Sequence, residues 1–126
     1  MAAGRYSFAI EQGATTKFEI QYTDSEKNPI DLTGYTARMH IRETYDSTAV
    51  ILAMTSTLES DGTGLNLNGL SNNQPLSEGK IGVYISAEKT AAFTFDQAVY
   101  DLELVNGSEV TRLIQGSIKL SREVTR

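Results

Sequence analysis

Apolar and polar residues alternate along most of this chain. A period of two calls for strands rather than helices, because successive side chains of a strand point to opposite faces. Phe18, Ile20 and Tyr22 alternate with Lys17, Glu19 and Gln21, so one face is apolar and the other charged or polar. The polar run 23–29 ends in Asn28-Pro29 and reads as a turn. Ile30 and Leu32 then lead through Thr33-Gly34 into a second alternating run. Tyr35, Ala37, Met39 and Ile41 share one face of it, and Arg38, His40 and Arg42 share the other. Leu65 and Leu67 mark a short strand beyond the turn 60–64, and Ile81, Val83 and Ile85 mark another after the long polar loop 68–79. Val50-Ile51-Leu52-Ala53-Met54 is nearly continuous in apolar residues, and at this length the expectation is a strand buried on both faces.

One segment departs from the alternation. Residues 86–92 are alanine-rich, with Ser86 placed as an N-cap and Glu88 in the first turn, which predicts a helical crossover of a turn or two. Tyr100, Leu102 and Leu104 form the next apolar face, followed by the turn signal Asn106-Gly107-Ser108. Val110, Ile114, Ile118 and Leu120 are in phase with one another beyond it. A three-residue loop pairing Leu104 with Ser108 and Leu102 with Val110 would keep that face continuous, with Gly107 left-handed in a bulge. The pattern predicts an all-β sandwich of about 7–9 strands in one domain over 1–126. Residues 1–10 serve either as an N-terminal arm or as the first strand.

Composition narrows the chemistry. The 126 residues include no cysteine, which excludes a disulfide framework, a thiolate nucleophile and a cysteine-ligated metal. Tryptophan is absent too, which weakens a sugar-stacking reading of the tyrosines and phenylalanines, most of which fall at strand spacing and are expected in the core. His40 is the single histidine, and nothing in the sequence supplies a nucleophile or carboxylate partner for it, so a solvated or interface histidine is expected. A net charge of −5 argues against nucleic acid as a partner. The start, Met1-Ala2-Ala3-Gly4-Arg5, lacks the apolar stretch of a signal peptide, and no window reaches the length of a membrane span. Asp24, Glu26 and Asn28 alternate oxygen ligands as a calcium loop does. They lack the glycine and distal glutamate of such a loop, and a plain turn is expected. No catalytic, metal or cofactor residue is assigned.

Lys17-Phe18-Glu19-Ile20, a polar hairpin, and then Pro29-Ile30-Asp31-Leu32-Thr33-Gly34-Tyr35 come in a familiar order. They resemble the Pro-x-Asp-Leu-Thr-Gly signature of the N-terminal, BppU-type immunoglobulin-like domain of phage upper baseplate proteins and of related small tail and neck proteins. The second half, with Tyr100-Asp101-Leu102-Glu103-Leu104 and residues 112–120, is similar as well, so the resemblance spans roughly residues 15–125. It implies an immunoglobulin-like antiparallel sandwich, and a non-enzymatic virion component that attaches fibres or neighbouring subunits. The chain reaches Arg126 without the coiled coil or receptor-binding region of the longer members. The expectation is therefore a stand-alone adaptor, a homo-oligomer or ring-associated subunit, made in the host cytoplasm and resident in the virion, with other virion proteins as partners. The candidate interface residues are Arg5, Tyr6, Phe8, Arg112, Lys119, Arg122 and Arg126. The alternatives are a receptor- or carbohydrate-binding module, marked by exposed tyrosines around the 43–49 and 68–79 loops, and a capsid decoration or head-fibre protein.

Overall fold

The alternating segments become strands of two stacked sheets, seen in a computed structural model that describes residues 4–125. In chain order the strands are β1 (Gly4–Arg5), β2 (Phe8–Glu11), β3 (Thr16–Gln21), β4 (Thr36–Arg42), β5 (Leu52–Thr55), β6 (Gly64–Asn66), β7 (Lys80–Ile85), β8 (Gln97–Asn106) and β9 (Glu109–Ser121). The short helix α1 (Ala87–Ala91) joins β7 to β8. One sheet runs β1-β9-β8-β4-β5, with β2 also on β9, and the other runs β3-β7-β6. That order, a three-stranded sheet facing one built on strands four, eight and nine, is the immunoglobulin-like arrangement. All pairings are antiparallel except those of β1 and β2, which run parallel to β9 and so qualify the all-antiparallel expectation.

The core lies between the sheets and is built from the alternating positions. Ala37, Met39 and Ile41 of β4 and Ala98, Tyr100, Leu102 and Leu104 of β8 face Ile81, Val83 and Ile85 of β7. Each buried leucine, isoleucine, valine or methionine among them contributes about 1.5–3 kcal/mol. The aromatics divide differently from the expectation. Phe93, Phe95 and Tyr100 are buried, whereas Phe18, Tyr22, Tyr35 and Tyr84 are half-buried and Tyr6 and Tyr45 are exposed.

The Asp31-Thr33 corner carries the crossing from one sheet to the other. Asp31 Oδ1 accepts the Thr33 backbone N–H at 2.9 Å and its hydroxyl at 2.7 Å, while the Tyr35 N–H closes onto the Leu32 carbonyl. Gly34 takes φ 86 there, a left-handed conformation that a side chain disfavours, and Leu32 is fully buried beneath the bend. Helix α1 starts where the sequence places it, with Ser86 Oγ accepting the Lys89 N–H.

Two strands differ from expectation. The β8–β9 loop holds two residues, not three, because Asn106 pairs with Glu109. Gly107 has φ 63 in the first loop position, where a two-residue II′ hairpin places glycine. Leu104 therefore faces Thr111, and Val110 falls on the outer face opposite Val105, 50% exposed. A β-bulge between Leu102 and Glu103 restores the phase: Glu103 pairs with Arg112, Leu102 with Ile114, and Leu113 is the extra residue. The strand β5, expected to be buried on both faces, lies instead at the sheet edge, with Met54 buried and Ala53 and Thr55 exposed.

Candidate functional site

His40 stands on the outer face of β4, exposed, with Nδ1 at 3.4 Å from an Arg42 guanidinium nitrogen. It lines a shallow groove of about 410 Å³ together with Arg38, Arg42, Tyr45, Asp101 and Glu103. Both acids of this groove are engaged in cross-strand ion pairs: Arg38 Nε meets Glu103 Oε1 at 2.7 Å, and Arg112 Nε meets Asp101 Oδ2 at 3.4 Å. Arg42 is held by the Ser47 and Thr48 carbonyls, each at 3.0 Å. The outcome is a ladder of opposite charges across three strands, each exposed pair contributing about 0.2–1 kcal/mol. Among the described residues no serine, threonine or cysteine lines this groove.

Asp24, of the calcium-like run, and Asp61, of the turn 60–64, both hold turns. Asp24 Oδ1 accepts the N–H groups of Glu26 at 2.9 Å and Asn28 at 3.0 Å, as an Asx turn does. Asp61 accepts the Thr63 N–H and the Ser86 hydroxyl, and the Ser86 N–H donates to the Thr63 hydroxyl, tying the β5–β6 turn to the start of α1. Among the described residues no group of three or more His, Cys, Asp or Glu is placed to hold a metal, and no helix is long and apolar enough to cross a membrane.

Those turn bonds bear on stability against pH. The Thr33 hydroxyl and N–H hold the Asp31 carboxyl below the usual carboxylate range, and the Thr63 N–H, followed by the Ser86 hydroxyl, does the same for Asp61. Both acids are then more acidic in the folded chain than in the unfolded one. Their contribution is complete above the ordinary carboxylate pKa of about 4 and is lost as pH falls through the lower folded values. Urea midpoints of the parent chain should fall between neutral pH and the acid range. The double variant Asp31→Asn/Asp61→Asn should show a smaller fall; an identical pH dependence would remove these two acids as its source.

The candidate interface residues gather along β9 and its flank. Arg5 pairs with Gln115, and Phe8 pairs with Ile118, so β1 and β2 complete the sheet within the same chain. The Tyr6 carbonyl accepts the Tyr100 hydroxyl, whose pKa burial raises far above the ordinary tyrosine value. The Tyr6 ring stacks on Phe8 at 5.8 Å and lies 5.4 Å from Phe18, closing the gap between the two sheets. Arg112 is ion-paired with Asp101, and Arg122 reaches Asp96 and the Thr94 carbonyl at 3.0 and 3.1 Å. Lys119 is exposed opposite Gln97, and Arg126 lies outside the described residues. Two of these cations are thus bound by acids of their own chain, and Tyr6 and Phe8 belong to an aromatic cluster at the sandwich margin.

A surface that the sequence reading missed lies at the other end of the large sheet. Strand β5 has β4 on one side and no strand on the other among the described residues. Tyr45 (72%), Val50 (38%) and Leu58 (43%), near it in the chain, are exposed. One sequence signal could have marked this edge: no charged residue occurs between Asp46 and Glu59.

No protein-family model matches the chain, and no curated protein matches it. Its chemistry therefore has to be read from its own surfaces. The groove around His40 holds ion-paired side chains, whereas a sheet edge offers backbone groups that another strand can pair with.

Proposed function

We propose that this chain is a non-enzymatic structural subunit of a tailed-phage virion, an adaptor of the tail, baseplate or neck that attaches fibres or neighbouring subunits. The observation that carries the reading is the Asp31-Leu32-Thr33-Gly34 corner, hydrogen-bonded in a tight bend at the crossing between the sheets of an immunoglobulin-like sandwich. It is the motif of the resembling baseplate domains, set in the architecture that the resemblance implies. The surface supports the same reading. The groove around His40 is open and its acids are ion-paired, so binding through edges and faces suits this molecule better than turnover. The carbohydrate-binding alternative draws little support, because Tyr45 is the one tyrosine in the 43–49 and 68–79 loops.

The partners are other virion proteins, the assembly is a homo-oligomer or a ring-associated subunit, and the location is the particle. The test is the composition and electron-microscopy map of purified particles from a phage encoding the chain. Symmetric copies at the tail, baseplate or neck are expected, and particles assembled without the chain should lack the fibres attached there. Particles that contain no copy would overturn the reading. Copies confined to the head would replace it with the decoration or head-fibre alternative, and strong signal on a glycan array would favour the receptor-binding module.

A further inference from the structure

A second groove, of about 610 Å³, lies between the β4–β5 end of the large sheet and the connection from α1 to β8. Ile51 and Leu52, half-buried, line it from the sheet. Exposed Ala92 and the nearly buried Phe93 and Phe95, their ring centroids 5.4 Å apart, line it from the connection. The backbone on both sides is held in place. The Ile51 N–H donates to the Ile41 carbonyl at 2.7 Å, the Phe93 N–H to the Thr90 carbonyl at 3.1 Å, and the Leu120 N–H to the Asp96 carbonyl at 3.0 Å. Gln12 Nε2 donates to the Phe93 carbonyl, and an Arg122 guanidinium nitrogen to the Thr94 carbonyl. The groove is therefore formed before any ligand arrives, and little ordering opposes binding there.

Its charge is one-sided. Glu43, Glu88 and Asp96 line it against a single cation, Lys89, which gives the lining a net charge of −2. Lys89 is bound to Glu59 at 3.0 Å and Asp96 to Arg122 at 3.0 Å, and counting those two partners leaves the balance unchanged. Glu43 and Glu88 are exposed and have no ion-pair partner among the described residues. The groove around His40 differs, because its acids are matched by Arg38 and Arg112. An anionic ligand, nucleic acid or acidic lipid included, meets repulsion at unmatched carboxylates. A bare metal ion finds no cluster of three ligating side chains among the described residues.

We propose that this groove docks a basic segment of a partner protein, an extended stretch with one apolar side chain between lysines or arginines. The apolar side chain covers Ile51, Leu52 and Ala92, and the cations meet Glu43 and Glu88. Alternate residues of an extended segment point the same way, so an apolar residue and cations two positions to either side share the face toward the groove. Charge complementarity selects the partner, and apolar burial holds it. A second copy of this chain fits less well. Its most exposed large apolar side chain, Val124, follows Arg122, which is already engaged with Asp96 and the Thr94 carbonyl of its own chain. This surface deepens the assembly role proposed above, and rests on it for the partner's place in the particle.

The experiment is binding of the full chain to an array of synthetic heptapeptides, each with one leucine, valine or phenylalanine and a lysine or arginine two positions to either side. The chain should bind members of this array. It should not bind matched peptides in which serine replaces the apolar residue or glutamate replaces the cations. The strongest binder is then followed in solution by fluorescence anisotropy. Glu43→Gln/Glu88→Gln should weaken it at least about fivefold, the scale of two exposed ion pairs, and the affinity should fall as salt rises. Ala92→Lys, which puts a cation into the groove and leaves both acids in place, should weaken it as well. Glu26→Gln/Glu109→Gln removes the same charge from exposed positions outside the groove and should change the affinity by less than about twofold at physiological salt. An array without binders, equal binding of the serine peptides, or an equal loss in the Glu26→Gln/Glu109→Gln control overturns the proposal. Dimers of the chain that Glu43→Gln/Glu88→Gln dissociates would make a second copy the occupant and overturn it too. A blank array leaves the virion role intact if particles contain the chain, whereas particles without it overturn that role and leave peptide binding standing.

Discussion

Replacing Gly116 with alanine should destabilise the fold by about 2–3 kcal/mol and release the N-terminal strand from the sheet. The expectation follows from how β1 and β2 lie on β9. They pair with it in one register, Gly4 with Ile114 and Phe8 with Ile118, interrupted at Tyr6 and Ser7. At that interruption the Tyr6 carbonyl sits where a side chain of residue 116 would be. A Cβ there would overlap the carbonyl, at 2.8 Å from its carbon and closer still to its oxygen. The same oxygen accepts the hydroxyl of Tyr100, the residue paired with Gly116 on β8. An added methyl therefore displaces the backbone of the N-terminal strand and breaks a hydrogen bond in the core. Urea unfolding gives the energetic effect. Hydrogen exchange of the Phe8–Glu11 amides reports the local one, as faster exchange in the variant. An unchanged midpoint with unchanged protection would show that the strand does not depend on the missing side chain.

Thr90→Val should cost about 2 kcal/mol, lowering the melting temperature by roughly 6–10 °C. Thr90 is fully buried in α1, and its hydroxyl joins two remote parts of the chain. Oγ1 donates to the Ala14 carbonyl at 2.8 Å and accepts the Gly13 N–H at 3.1 Å, while Gln12 Nε2 reaches the Phe93 carbonyl close by. Valine keeps the shape of threonine but leaves an amide and a carbonyl of the β2–β3 turn without their partner. Thr90→Ser keeps the hydroxyl and should retain most of the stability. If serine and valine proved equally damaging in thermal unfolding, packing rather than hydrogen bonding would be what this position supplies.

Most strands were legible because the pattern that marks them is the force that orders them. Phe18 and Ile20, Met39 and Ile41, and Ile81 and Val83 alternate with polar neighbours, and burying one face of such a strand leaves little freedom in its register. The corner at Asp31 and Thr33 and the Ser86 cap were legible for a different reason. Their hydrogen bonds span two or three residues, so the sequence contains both partners. The register of β9 was not legible in the same way. Val110 and Ile114 share a phase in the sequence, yet the bulge at Leu113 places them on opposite faces. A bulge trades one ladder position for a bend in the strand, and the partner strand decides where that happens.

The candidate surfaces divide along the same line. Arg112 and Arg122 stand in the sequence as candidate interface residues, but their acids, Asp101 and Asp96, are distant in sequence and meet them through the fold. The apolar run Val50–Met54 reads in the sequence as a strand buried on both faces. Only the position of β5 in the sheet order made it an edge. By itself the sequence determined an all-β sandwich, its strands, its cross-sheet corner and its helical crossover, because these rest on alternation and on contacts between near neighbours. The tertiary structure alone decided which strands are central and which are edges, where the phase of β9 shifts, and that the N-terminal strand runs parallel to β9 over Gly116. Those features depend on pairings between residues far apart in the chain, which local preference cannot specify.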